Sequence, residues 1–194
     1  MSKKNAKNTK GKIITAAWDL FYEQGYDDTT VEEIIERSGT SKGSFYHYFE
    51  GKDGLLGSLS YIFDEEYEKL QESLSEEMFA FDKLLYLNNR LFSMIEERID
   101  IDLLTRLYST QLITKGEKHL LDNKRLYYKL LRKIVTDGQK NGELTEEMTV
   151  NEIVKLYAMC ERALIYDWCL CNGEYSLYSY AKTVMPVFLS KIRL

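Results

Sequence analysis

Apolar residues recur at three- and four-residue spacing along most of this chain, and the strict alternation of a half-buried strand is nearly absent. The pattern predicts an all-α protein. Ile13, Ala16, Ala17, Leu20 and Phe21 share one helical stripe that Gly25 terminates, with Tyr26 placed to close the end. Thr30 and Glu33 have the spacing of a capping box, so a second helix is expected through Ile34 and Ile35 to Ser38. Gly39 then turns the chain, and Ser41 caps a short third helix from Lys42 to about Phe49. A fourth helix starts at Gly51-Lys52 and is expected to run unbroken through Leu55, Leu59, Ile62, Phe63 and Tyr67 towards Leu74. The remaining apolar runs predict helices near 79–97, 100–114, 119–141, 150–171 and 176–192, punctuated by Gly116, Gly142 and Gly173. Pro186 is expected to kink or interrupt the last one.

The second and third helices with their glycine turn make a helix-turn-helix. Placed at 100° per residue, Phe45 and Phe49 face inward on the third helix, while Gly43, Ser44 and His47 face out. Lys42 and Tyr46 form one flank and Tyr48 the other. A glycine inside a helix costs about 1 kcal/mol relative to alanine, and here it leaves the backbone open to close approach. A cation, phenols, a hydroxyl and an imidazole around a bare glycine suit phosphates and base edges. The alternative is a small, aromatic-rich structural hairpin.

The stretch SKGSFYHYFEGKDGLL resembles the DNA-binding signature of the TetR family of bacterial transcriptional regulators, and the likeness covers about residues 10 to 56. Two positions depart from the usual pattern: Thr40 stands where the family mostly has valine, and Ile35 where it mostly has alanine. The resemblance implies a DNA-binding surface made of Thr30, Thr40, Ser41, Lys42, Gly43, Ser44, Tyr46, His47, Tyr48 and Lys52. It also implies a homodimer on a palindromic double-stranded operator, built from the helices near 150–171 and 176–192, with a small molecule in the body shifting the fourth helix.

Charge sharpens this picture. The formal net charge is −5, yet residues through Lys52 hold eight basic and eight acidic side chains, leaving 18 basic and 23 acidic beyond. The head is neutral and the body acidic, which orients the head towards DNA. Residues 1–9 carry lysines without apolar periodicity and are expected to form a disordered basic arm. Residues 10–56 would then be the DNA-binding head and 57–194 the ligand-binding and dimerisation body. No apolar run approaches the roughly 20 residues needed to span a bilayer, and no apolar stretch follows the first lysines, so a cytoplasmic protein is expected. Two distant histidines and three cysteines (Cys160, Cys169 and Cys171) give neither a metal site nor a disulfide framework. Free thiols in a reducing compartment and a redox switch are the two readings of those cysteines. No cofactor is expected.

The body contains no phosphate loop, HExxH or Ser/His/Asp arrangement, so an enzyme is not expected. Its many large residues either fill a helical core or line a ligand cavity, which between bundle helices is mostly apolar with a few polar anchors. The anomaly is Glu161, which falls inside the stripe Val150, Val154, Tyr157, Leu164, Ile165 and Trp168. A carboxylate there is either paired structurally or used on a ligand or switch. The ligand candidates are Tyr67, Tyr108, Tyr127, Tyr157, Glu161 and Trp168, for a small apolar or amphipathic molecule, uncharged or weakly cationic. A ligand-independent DNA-binding or partner-binding protein with the same head is the other functional reading.

Overall fold

The computed structural model describes residues 3–113, 115 and 118–194. These form ten α-helices: α1 (Lys3–Gln24), α2 (Val31–Ser38), α3 (Lys42–Tyr48), α4 (Lys52–Leu56), α5 (Leu59–Ser73), α6 (Ala80–Arg98), α7 (Ile101–Ile113), α8 (Leu126–Lys140), α9 (Val150–Leu170) and α10 (Leu177–Phe188). Two 3₁₀ turns, His119–Leu121 and Ser190–Ile192, precede α8 and follow α10. No strand forms among the described residues, and no described helix is long and apolar enough to cross a membrane.

The head is α1 to α3 closed by α4. Thr30 makes the full capping box with Glu33, and Ser41 Oγ accepts from the Ser44 N–H at 3.1 Å. Gly39 takes φ 62°, the left-handed conformation that lets α2 end and α3 turn away. Ile13, Ala17, Phe21, Ile34 and Phe45 close the small core between these helices. In the body, α6 packs against α5, α8 and α10, and α9 packs against α7, α8 and α10.

Four expectations change. First, α1 begins at Lys3, so the described part of the expected arm is helical: Ala and Lys are good helix formers, and no Pro or Gly stops them before Gly11. Met1 and Ser2 lie outside the described residues, as does Gly116. Second, the expected helix 119–141 is a 3₁₀ turn and a separate α8, parted by Asp122, Asn123 and Lys124, poor helix residues in two cases of three. Third, α10 runs two residues past Pro186 before the chain tightens into its 3₁₀ turn. There the expected last helix is continued, not ended, by its proline.

The fourth change matters most for function. The helix expected to run unbroken from Lys52 to Leu74 is two helices, parted at Gly57 and Ser58. The Ser58 N–H bonds Leu55 O at 2.9 Å and the Ser60 N–H bonds Gly57 O at 3.3 Å, so the link is wound as 3₁₀, a common form of hinge. Trp18 Nε1 of α1 donates to Ser58 Oγ at 2.8 Å, tying the hinge to the head. On its other side a Cβ at Gly57 would lie 2.4 Å from the His119 ring, so only glycine allows this approach. Apolar spacing continues across the break, which hides it in the sequence.

Candidate DNA interface and body cavity

On α3, Phe45 is fully buried, whereas Ser41, Lys42, Gly43, Tyr46 and His47 are exposed and Ser44 and Tyr48 half-buried. The outward face of the short helix is therefore assembled as its spacing predicts. Lys42 lies 3.5 Å from Glu32, an exposed pair of small worth that phosphate can replace. Thr30 serves as the α2 cap, and the Thr40 hydroxyl sits 2.8 Å from Ser38 Oγ. Both are occupied within the head.

Lys52 is placed differently from its expected role at a phosphate. Its Nζ donates to Tyr26 O at 2.5 Å, Thr29 O at 2.8 Å and Asp27 O at 3.2 Å. An ammonium has three protons, and all three are spent on carbonyls of the α1–α2 turn, of which Tyr26 O also accepts from the Thr29 N–H at 3.3 Å. Lys52 thus holds the turn. From the body, Arg106 of α7 pairs with Asp27 at 2.5 Å and lies 4.8 Å from the Tyr26 ring centre, and the Tyr26 hydroxyl donates to Asp53. Head and body meet at this turn as well as at the hinge.

In the body, a cavity of about 40 Å³ opens between α5, α7, α8 and α9, lined among others by Phe63, Tyr67, Tyr108, Tyr127, Glu161 and Ile165. Four of the six expected ligand residues are brought together here. Tyr157 and Trp168 are not. Tyr157 is fully buried and donates to Leu84 O at 2.9 Å, while Trp168 Nε1 donates to Tyr175 O at 2.7 Å beside Gly173. Both lie on the expected stripe of α9, but a stripe spans more arc than one cavity touches.

Glu161 is buried in this cavity wall. Its Oε1 accepts from Asn88 Nδ2 at 3.0 Å and its Oε2 from Tyr127 Oη at 2.7 Å. Burial pushes the carboxyl up from its usual range, and the hydrogen bonds from Asn88 and Tyr127 and the charge of Arg162 only partly oppose it. The cationic neighbours are also committed: Arg125 forks onto Asp64 at 2.9 and 3.1 Å and bonds Ser60 O, and Arg162 Nη1 donates to Tyr128 Oη at 3.2 Å. Tyr108, Leu120 and Arg162 also line an outer groove of about 350 Å³ with Lys118, Leu112, Leu121, Met159 and Tyr166. The two spaces share a wall.

Sequence reasoning missed Asn88, Arg125 and Arg162. Asn88 had a usable signal, because it interrupts the stripe Leu84, Leu87, Leu91 and Ile95 much as Glu161 interrupts its own. The two arginines had none, since each sits where a charged residue is ordinary.

The model of the tetR family of bacterial regulatory proteins matches residues 13–59, and that of the YsiA-like C-terminal region matches residues 63–191. The chain belongs to the TetR family. It is a DNA-binding transcriptional regulator with a helix-turn-helix head and a helical body. The fatty acid metabolism regulator protein of Bacillus subtilis is 25% identical over 185 residues, spanning 93% of this chain and 94% of that protein. Among solved structures, FadR from Bacillus subtilis in complex with stearoyl-CoA superposes with a TM-score of 0.68 at 22% identity, covering 95% of this chain and 100% of that one. FadR from Thermus thermophilus, a TetR-family repressor in complex with lauroyl-CoA, gives 0.77 at 19% identity over 95% of each chain. These two likenesses speak for the fold.

Proposed function

We propose that this TetR-family regulator is a homodimeric repressor that leaves a palindromic operator when an amphipathic acyl thioester occupies its body. The observation that carries the ligand class is the wall shared by the inner cavity and the outer groove. Mostly apolar side chains line the cavity side, where Glu161 and Arg125 are already hydrogen-bonded, and two cations stand at the groove: Arg162 on the shared wall, and Lys118, whose Nζ also donates to Gln111 O at 2.6 Å. An aliphatic chain needs the first and a phosphate-bearing head group the second. Relatives that bind fatty acyl-CoA support the same class. Glu161 was the reason to expect a neutral or weakly cationic ligand, but its oxygens already accept from Asn88 and Tyr127, and burial drives it towards the neutral acid. It does not call for a cation.

Pockets that hold a small molecule run to about 300–1,000 Å³, so the cavity must widen, and the ligand acts by favouring the wider body. The small cavity also supports the ligand-independent reading, which expects a packed body. One experiment separates them. An operator is selected from random-sequence DNA, and dodecanoyl-CoA is titrated into the complex while fluorescence anisotropy is followed. Release at micromolar ligand supports the proposal; an unmoved complex favours the ligand-independent regulator.

For the head, Lys42 and Tyr46 are assigned to phosphates, and Ser44 and His47 to base edges. Lys42→Ala is expected to weaken binding to all sequences alike and to flatten the salt dependence by about 0.9 log units per log salt. His47→Ala is expected to change the selected sequence instead. Unaltered affinity, slope and sequence in both variants would place the recognition face elsewhere.

The dimer is assigned to the outer faces of α9 and α10. Leu170 lies on one, and Tyr180, Val187 and Phe188 on the other, all exposed; Met159, Ala163 and Tyr166, at helical spacing with Leu170, also line the outer groove, so the groove opens at the edge of this face. Such an apolar double face suits an isologous contact. Light scattering is expected to give twice the 22.8 kDa chain mass, and the pair Leu170→Glu with Val187→Glu to halve it without loss of helix. A wild-type monomer at micromolar concentration is the opposing result. Half-sites should then recur about 10 bp apart or at a multiple of that.

A further inference from the structure

Tyrosine hydroxyls crowd the centre of the body, and nearly all are spoken for. Tyr127 Oη donates to Glu161, Tyr128 Oη to Leu120 O and Tyr157 Oη to Leu84 O. Among the buried tyrosines, Tyr67 of α5 is the exception. Its side chain is 1% exposed, its ring packs 5.0 Å from that of Tyr127, and its hydroxyl finds no hydrogen-bond partner among the described residues. It also lines the cavity. A buried donor left unpaired is costly, and native interiors rarely keep one without a use.

We propose that Tyr67 Oη is the donor that anchors the ligand, and that it selects a neutral acceptor, the carbonyl oxygen of an acyl thioester or ester. This rests on the acyl reading above and adds the atom that reads the ligand's functional group.

The chemistry of the neighbours narrows the acceptor. Burial and the nearby Glu161 hold the Tyr67 phenol protonated, so it donates. An anionic group at this depth would find no free cation among the described residues, because the adjacent guanidinium of Arg125 is already committed to Asp64 and Ser60 O. A cation would meet a carboxyl driven towards neutrality. A carbonyl fits both restrictions. It also lies, in an acyl thioester, between an aliphatic chain and an anionic head, as Tyr67 lies on the inner cavity and Lys118 on the outer groove.

The test uses the full chain, dodecanoyl-CoA, and the dodecyl thioether of CoA, which lacks only the carbonyl oxygen. By calorimetric titration the wild type is expected to prefer the thioester by about three- to tenfold, the worth of one hydrogen bond. Tyr67→Phe should abolish that preference and leave thioether affinity within about twofold. The ligand-free variant should melt no lower than wild type, since it loses only an unpartnered hydroxyl. A preference retained by the variant, no preference in wild type, or a lower melting point from a hydroxyl that does have a partner each overturns the anchor while the acyl reading stands. Failure of both compounds to bind wild type overturns the acyl reading and the anchor with it.

Discussion

Glu161→Ala is expected to cost about 2–6 kcal/mol of folding stability, because it strands two buried donors at about 1–3 kcal/mol each. The donors are Asn88 Nδ2 and Tyr127 Oη, both aimed at the carboxyl. In a chain of this length the loss should lower the melting temperature by on the order of 10 °C. Glu161→Gln is expected to behave otherwise. Asn88 Oδ1 is fully buried and accepts nothing among the described residues. Turning the Asn88 amide over would let that oxygen accept from the new side-chain amide, keeping the network closed.

The same pair of variants reads the charge of Glu161. Burial raises its carboxyl above the ordinary value of 4.5, so the folded state holds the proton more tightly than the unfolded chain. Its contribution is therefore fully present below about pH 4.5 and is lost as pH rises through the folded value. Wild type should lose stability relative to Glu161→Gln across that rise, while the variant lacks this term. Thermal melts from pH 5 to 8 check it. A difference that does not change with pH, or a Gln variant as damaged as the Ala variant at pH 8, would mean that Glu161 is charged and paired in the fold.

The head was readable because its signals are local. Capping boxes, a left-handed glycine and a two-residue inward stripe act within ten residues, and Thr30, Glu33, Gly39, Ser41 and Phe45 do what their types require. The contacts of Lys52 were not legible for the opposite reason: its partners are carbonyls of Tyr26, Asp27 and Thr29, more than twenty residues away. The same holds in the body. Periodicity put Glu161 inside, but only the packing of α8 against both α6 and α9 brings Asn88 and Tyr127 to it. Periodicity likewise put Trp168 and Tyr157 on the Glu161 stripe, yet which part of a stripe borders a cavity depends on where neighbouring helices stop. The break at Gly57 was invisible because a 3₁₀ step leaves the apolar spacing of Leu55, Leu56 and Leu59 nearly intact.

That break carries the second large expected effect. Gly57→Ala is expected to weaken operator binding by about five- to tenfold, within the usual range of coupling between sites. The backbone at Gly57 is ordinary right-handed helix, φ −58° and ψ −23°, so alanine is not strained there and gains about 1 kcal/mol of helix propensity. The difficulty is steric: the added Cβ would lie 2.4 and 2.8 Å from two atoms of the His119 ring. His119 is exposed and can swing away, but it opens the 3₁₀ turn whose next residue, Leu120, lines the cavity. The substitution therefore pushes on the cavity wall from the head side, where a ligand would push from within. It also favours a continuous helix over the 3₁₀ link that Trp18 holds through Ser58. Adding His119→Ala to Gly57→Ala removes the clash and should restore operator affinity if the steric contact is the cause. Restoration fails if helix straightening is the cause, because the added alanine still favours a straight α4–α5. Operator titrations of wild type, both single variants and the double variant measure the coupling directly. Equal affinity in all four would show that the hinge transmits nothing.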